Sequence, residues 1–261
     1  MKNKIFPLIL FFPAVAGLCG AFLRGEQIKE ASEVSGGFIS GSSSFAYGLL
    51  ILCALVFLIA IGAAFLFTKW IVLSKNDVPK VNVFFPFWIS GAIVFAYAVM
   101  VLFTLFDSFS MINLILCIFS AYCAVSLFAL GRYRMSEREN TAYCVMSAVP
   151  VFWAAFMLIL TFREKISDPV VWDYVFNIFS YLSILFSAYA IAAHTLGKDK
   201  RIITLIACFC SIFFFLIEIF SPFVSGGNIS LNAAKIAELL PQLAFLILMP
   251  FVTIEIFRKR N

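Results

Sequence analysis

Apolar positions in this chain neither alternate nor form narrow amphipathic stripes; they run on without a break. Eight such stretches stand at roughly 5–23, 45–68, 84–106, 110–131, 142–162, 174–196, 202–223 and 239–257. Charged residues are almost absent from them; Glu218 and Glu255 are the exceptions. A helix of about 20 residues crosses a hydrocarbon core of about 30 Å. Lipid offers the backbone no hydrogen-bond partners, so each stretch is read as a helix. The alternating ten-residue segments of a membrane barrel do not occur. The predicted fold is an all-α polytopic membrane protein: one domain over 1–261, built as a bundle of eight transmembrane helices.

Composition agrees with that pattern. Of 261 residues, 63% are apolar and only 13% charged, with 33 Phe and a mean hydropathy of +1.04. Soluble domains hold about 45–50% apolar and about 25% charged residues. A cytosolic enzyme, a secreted disulfide scaffold and a disordered chain are thereby excluded. The seven cysteines are odd in number, and each lies inside an apolar run with no CxxC among them. Cys208 and Cys210, two residues apart, point to different sides of a helix. They are read as small packing residues, not as a redox pair or metal site.

The formal charge of +5 comes from 19 basic and 14 acidic residues. The basic residues stand singly or in threes between apolar runs, without a stripe of interleaved aromatics. Nucleic acid is therefore not an expected partner; the lipid bilayer is. Basic residues hold loops on the cytoplasmic side of a membrane. With the N-terminus inside, 14 Lys and Arg fall in inner segments and 5 in outer ones. Every inner segment exceeds or equals every outer one: Arg132, Arg134 and Arg138 on one side, for example, against Arg163 and Lys165 on the other. The expected location is the cell membrane, with both termini cytoplasmic. Residues 1–25 also resemble a signal peptide, with Ala14-Val15-Ala16 as a cleavage-like triplet. The apolar run continues through Leu23, which favours a retained anchor; cleavage would leave seven helices.

Several boundaries carry chemistry of their own. Asp168-Pro169 reads as an N-cap followed by proline in the first turn of helix six. Asp107 and Ser108 are candidate caps of helix four. Asn232 opens a stretch, Ala233 to Leu240, that fits a short helix lying on the membrane before Pro241. Pro150 is expected to kink helix five. Glu26-Gln-Ile-Lys-Glu-Ala-Ser-Glu33 could extend helix one, and 35–44 reads as a Ser/Gly linker. Asn228-Ile-Ser230 fits a glycosylation acceptor, a motif common by chance. Ala16-x-x-x-Gly20 and Gly17-x-x-x-Ala21 offer a close-packing face to a helix of this chain or of a membrane-protein partner.

An internal echo adds one architectural hint. Phe119-Ser-Ala-Tyr122 recurs as Phe186-Ser-Ala-Tyr189, and each is followed by a small apolar run ending in Leu130-Gly131-Arg132 or Leu196-Gly197-Lys198. The echo fits parallel helical-hairpin repeats, such as transporters use around a site. Chance recurrence of frequent membrane residues explains it equally well.

Ionisable residues inside a span are costly and are functional candidates by default. Glu255 stands three and four residues before Arg258 and Lys259, the spacing of a helical ion pair. His194, the only histidine, lies near the cytoplasmic end of its span, so no multi-histidine metal site exists in this chain. Glu218 lies about one turn inside the outer end. Asn113, Tyr174, Asn177 and Gln242 share that depth, with Trp172 at the interface and Trp153 and Tyr181 deeper. Together, Glu218, Asn113, Tyr174, Asn177, Tyr181, Trp153 and Gln242 could line a small-molecule site. Snorkelling, caps and aromatic belts predict the same residues with no pocket.

No enzymatic constellation emerges, and no cofactor is expected. Gly41-Ser-Ser-Ser44 has the loose pattern of an intramembrane serine protease, but His194 would lie on the order of 30 Å away across the bilayer. Paired intramembrane aspartates are absent, as is a lysine in the last span for a Schiff base. The expected function is that of a small-molecule permease or substrate-binding membrane subunit with an outward-facing site. The alternatives are a ligand-free scaffold or accessory protein, or a sensor, although the cytoplasmic loops are too short for an output domain.

Overall fold

The computed structural model describes residues 5–35, 44–69, 82–107, 109–136, 141–165, 171–198, 200–225 and 233–258. Within these ranges, the side chains of 5–10, 31–35, 67–69, 107, 133–136, 164–165, 171–175, 233–235 and 258 lie outside the description. So do the expected cap at Asp168-Pro169, Ser108, Asn232, most of the 35–44 linker and the Asn228-Ile-Ser230 triplet.

Eight helices follow one another: α1 (Ile5–Ser35), α2 (Ser44–Lys69), α3 (Phe84–Asp107), α4 (Met111–Ser136), α5 (Thr141–Lys165), α6 (Val171–Thr195), α7 (Arg201–Val224) and α8 (Ala233–Arg258). The described residues contain no strand. Among them, α2 to α8 are long and apolar enough to cross a membrane; α1 is not in that set. Its helix does continue past Leu23 through the charged segment 26–33 to Ser35, as its pattern allowed. The stretch before Pro241 is not a separate surface helix. It forms the first turns of α8, which runs on through Pro241 and Pro250. Proline loses one backbone bond, and membrane helices tolerate this where neighbours satisfy the freed carbonyl. Pro150 likewise lies inside a continuous α5.

Helix ends follow local chemistry. Asn82 Oδ1 accepts the Phe84 N–H at 3.1 Å, opening α3. At α4 the Ser110 carbonyl accepts the Leu114 N–H, so Ser110 occupies the N-cap position expected of Asp107 or Ser108. α6 closes on Gly197, at φ 70°. The Lys198 N–H reaches the Ala193 carbonyl at 2.8 Å and the Gly197 N–H reaches that of His194, the paired bonds of a Schellman motif.

Contacts between helices set their directions. Gly131 meets Phe87 and Gly91 meets Phe128, so α3 and α4 are antiparallel. Ser120 with Trp153 and Phe119 with Phe156 set α4 against α5. Ser187 with Ser211 and Phe179 with Phe214 do the same for α6 and α7. α7 and α1 are parallel instead. A Cβ on Gly17 would stand 2.9 Å from Leu216 Cβ, and one on Gly20 2.8 Å from Ile217 Cδ1; Gly25 abuts Val224. The small-residue face of α1 is therefore spent within the chain.

α7 touches α1, α2, α6 and α8, and α8 also touches α3 and α6. The main core lies between α3, α4, α5, α6, α8 and one face of α7, around Phe87, Trp153 and Phe245. A second core joins α1 and α2 to α7. Cys208 belongs to the first and Cys210 to the second, on opposite sides of one helix as their spacing predicts; all seven cysteines are free.

The echo recurs in three dimensions. Ser120 and Ser187 are both fully buried, both donate to the carbonyl four residues back, and both meet the next helix, at Trp153 and Ser211. Phe119, Tyr122, Phe186 and Tyr189 all face outward. The likeness ends at the glycine: Gly197 terminates its helix, whereas Gly131 lies inside α4 against Phe87 and Trp88.

Candidate functional site

The alternation of helices gathers two polar stations at opposite ends of the bundle. The first lies where α1, α6, α7 and α8 converge. Glu218 sits six residues before the end of α7, about 9 Å along the axis. Gln242, 3% exposed on α8, donates its Nε2 hydrogen to Glu218 Oε2. Gln242 Oε1 is buried and receives no hydrogen bond.

One turn before Glu218, Phe214 stacks on Phe179 at 5.5 Å and stands 6.4 Å from Phe176. The Arg24 guanidinium of α1 lies over the Phe176 ring, 5.3 Å from its centroid. Arg24 is only 2% exposed, and its Nη1 donates to Gln27 Oε1 at 2.8 Å. Gln27 is fully buried, and its Nε2 has no hydrogen-bond acceptor. A continuous path of contacts and helical turns thus runs from Arg24 through Phe176 and Phe214 to Glu218 and Gln242.

The structure joins Glu218 and Gln242, both read as site residues from the sequence. It places Trp153 in the sealed core: fully buried, Nε1 donating to Ser120 Oγ at 2.9 Å, stacked on Phe245 and edge-on to Tyr97. Phe245 is one turn from Gln242, so this core adjoins the station. Tyr181 is buried in the same core. Asn113 and Asn177 are half-buried on α4 and α6; no described hydrogen bond ties them to the Glu218–Gln242 pair. The side chains of Tyr174 and Trp172 lie outside the described residues.

Arg24 and Gln27 are functional candidates that sequence reasoning missed: Arg24 counts as an outer-segment charge, and Gln27 falls in the stretch that could extend helix one. A signal was present. Gly20, Arg24 and Gln27 follow at spacings of four and three, which keeps them on one helix face with the packing glycines.

The second station is at the opposite end. His194, 8% exposed on α6, has its Nε2 3.6 Å from Glu255 Oε2 on α8. Arg201, the first residue of α7, lies 5.5 Å over the Phe257 ring. Glu255 thus meets α6, in addition to whatever its neighbours on α8 supply; the Arg258 side chain and Lys259 lie outside the described residues. Ser44 opens α2 at the first end, so it and His194 do stand at opposite ends. No group of three or more His, Cys, Asp or Glu among the described residues is placed to hold a metal ion.

Comparison with protein-family models, with curated proteins and with solved structures found no match. The multi-span helical bundle itself is what the sequence pattern and the structure jointly establish.

Proposed function

We propose that this membrane protein is a small-molecule permease or substrate-binding membrane subunit, with its site at the Glu218–Gln242 station. One observation carries the reading: a carboxylate within a spanning helix is bonded to a buried amide whose own acceptor, Gln242 Oε1, has no donor. Both groups present oxygen acceptors, so they suit a ligand with N–H or O–H donors. The carboxylate and the neighbouring Phe214 and Phe179 rings favour an amine, since aromatic faces attract cations. The more basic end, with Arg132, Lys198, Lys200 and Arg201, faces the cytoplasm by the positive-inside rule; this makes the station outward-facing in the cell membrane. We assign the chain no catalysis of its own.

The competing reading is a ligand-free scaffold. The sealed Trp153–Phe245–Tyr97 core favours it, because a permease must open a path through the bundle. The full chain in phosphatidylcholine nanodiscs separates the two. Thermal midpoints are read with ethanolamine, putrescine, arginine and glucose. The permease reading expects an amine to raise the midpoint of the wild type and not that of Glu218→Gln. It fails if none of these compounds shifts the wild type, or if Glu218→Gln responds equally.

A further inference from the structure

α4 packs against α3 and α5, and its remaining side faces outward. Along that side Met111, Ile115, Ile118, Tyr122 and Val125 are exposed, at alternating steps of four and three residues. Such steps align side chains in one seam, here about 21 Å long. Four of the five suit lipid, and Tyr122 does not. It stands 11 residues after Met111 and 10 before Arg132 in the span Met111–Arg132, so about 15 Å of helix separates it from either end. Tyrosine belongs at the membrane interface, with its ring in lipid and its hydroxyl in water. From mid-span the phenol is too short to reach either headgroup layer. Tyr122 is 58% exposed, and its hydroxyl makes no hydrogen bond with any described residue. Hydrocarbon offers it none either. The echo supplies a contrast. Tyr189 also faces outward, but it lies six residues before the end of the span Phe176–Thr195, about 9 Å along the axis. Its hydroxyl can turn toward the headgroups, whereas that of Tyr122 needs a partner at its own depth.

We infer that the outward stripe of α4 is an interface between two copies of this chain, side by side about a two-fold axis along the membrane normal, with the Tyr122 hydroxyl meeting its own counterpart. Copies of one chain share an orientation in the membrane, so each brings a phenol to the same depth. A two-fold axis sets a residue opposite itself. A phenol hydroxyl both donates and accepts, so two of them pair, one giving its hydrogen to the other. Any other occupant would have to carry a polar group of its own to mid-membrane. Helices crossed at Tyr122 diverge toward their ends. The exposed Arg132 side chains, about 15 Å along the axis, therefore go to the headgroups and not to each other. This surface lies on a different helix from Glu218 and Gln242 and is independent of the permease reading.

The test uses the full chain, labelled at its C-terminus and reconstituted in phosphatidylcholine vesicles over a range of protein densities. Photobleaching steps count the copies in each particle. The wild type is expected to pass from single copies to pairs as density rises. Tyr122→Phe, which removes only the hydroxyl, is expected to weaken pairing about three- to tenfold. Tyr189→Phe is expected to leave it unchanged. Copper–phenanthroline oxidation locates the contact. Val125→Cys is expected to give more cross-linked dimer than the wild type, and Leu58→Cys, on the exposed face of α2, is not. Single copies at every density overturn the proposal and leave the stripe to lipid. Pairing that Tyr122→Phe leaves unchanged, that Tyr189→Phe weakens equally, or that Leu58→Cys captures as well as or better than Val125→Cys overturns it too, and moves the interface elsewhere.

Discussion

α2 and α6 invert the usual relation between hydropathy and burial. α2 is the most apolar span, with a mean hydropathy of 3.1, yet only 22% of it is buried. α6 is the least apolar, at 1.6, and 61% of it is buried. In water the order would be the reverse. Lipid tails are as apolar as leucine, so burying Leu50, Ile51, Leu55 or Leu58 of α2 against protein gains little over leaving them in lipid. α6 turns Ser180, Ser183 and Ser187 inward, where hydroxyls find partners and small side chains let backbones approach. Small residues also supply three of the buried positions of α2, Ala46, Ala60 and Ala64, beside Leu49 and Val56. Hydropathy alone does not set the order, however. α7 has a mean hydropathy of 2.6 and is 67% buried, because four helices surround it.

The largest expected effect lies in overfilling α6. Ser187 is fully buried, with its Oγ 2.8 Å from that of Ser211. Ser187→Leu makes the helix more apolar and is expected to destabilise the bundle by about 1–3 kcal/mol, since a packed interface cannot take the added volume. Leu58→Ala, at a position 68% exposed on α2, is expected to stay within about 0.5 kcal/mol. Reversible unfolding in mixed micelles measures both. A Leu58→Ala loss as large as that of Ser187→Leu would mean that α2 is covered by a partner, and the contrast between the helices would fail.

A smaller effect is expected at the far end of α6. Glu255→Leu removes the carboxylate 3.6 Å from buried His194 and is expected to cost about 1–3 kcal/mol through the loss of that polar neighbour. The double change His194→Leu with Glu255→Leu is expected to cost less than Glu255→Leu alone, because the imidazole deprived of the carboxylate is then gone as well. If the double variant is the worse of the two, His194 is held by groups other than Glu255.

How much of this was legible follows from the same physics. Long apolar runs announce spans, so the helices and their order were within reach of the sequence. Depth along a helix is also legible, which is why Glu218 and Gln242 could be placed at one level before their contact was seen. Lateral packing is not legible from hydropathy, since lipid and protein present similar apolar surfaces. Trp153 illustrates this: depth placed it near the station, and packing seals it against Phe245 and Tyr97. Glu255 shows a second limit. Its spacing to Arg258 and Lys259 follows from the helix, whereas His194 lies 61 positions away and only the α6–α8 packing brings it close. Arg24 shows a third. Counted as an outer-loop charge, it is buried because α1 remains helical and keeps its glycine face on α7.

The finest expected effect concerns single hydroxyls. Ser187 Oγ lies 2.7 Å from the Ser183 carbonyl and 2.8 Å from Ser211 Oγ. A hydroxyl has one hydrogen, and a carbonyl can only accept, so Ser187 donates to Ser183 and Ser211 donates to Ser187. The two alanine variants should then differ. Ser187→Ala deprives Ser211 of its acceptor, whereas Ser211→Ala leaves the Ser187 hydrogen satisfied. Ser187→Ala is expected to cost more, with a coupling in the double-mutant cycle of about 0.6 kcal/mol and no more than about 1.7 kcal/mol. Equal single effects with no coupling would show that inward hydroxyls on α6 contribute only their small size. The contrast with α2 would then rest on volume, with hydrogen bonding no part of it.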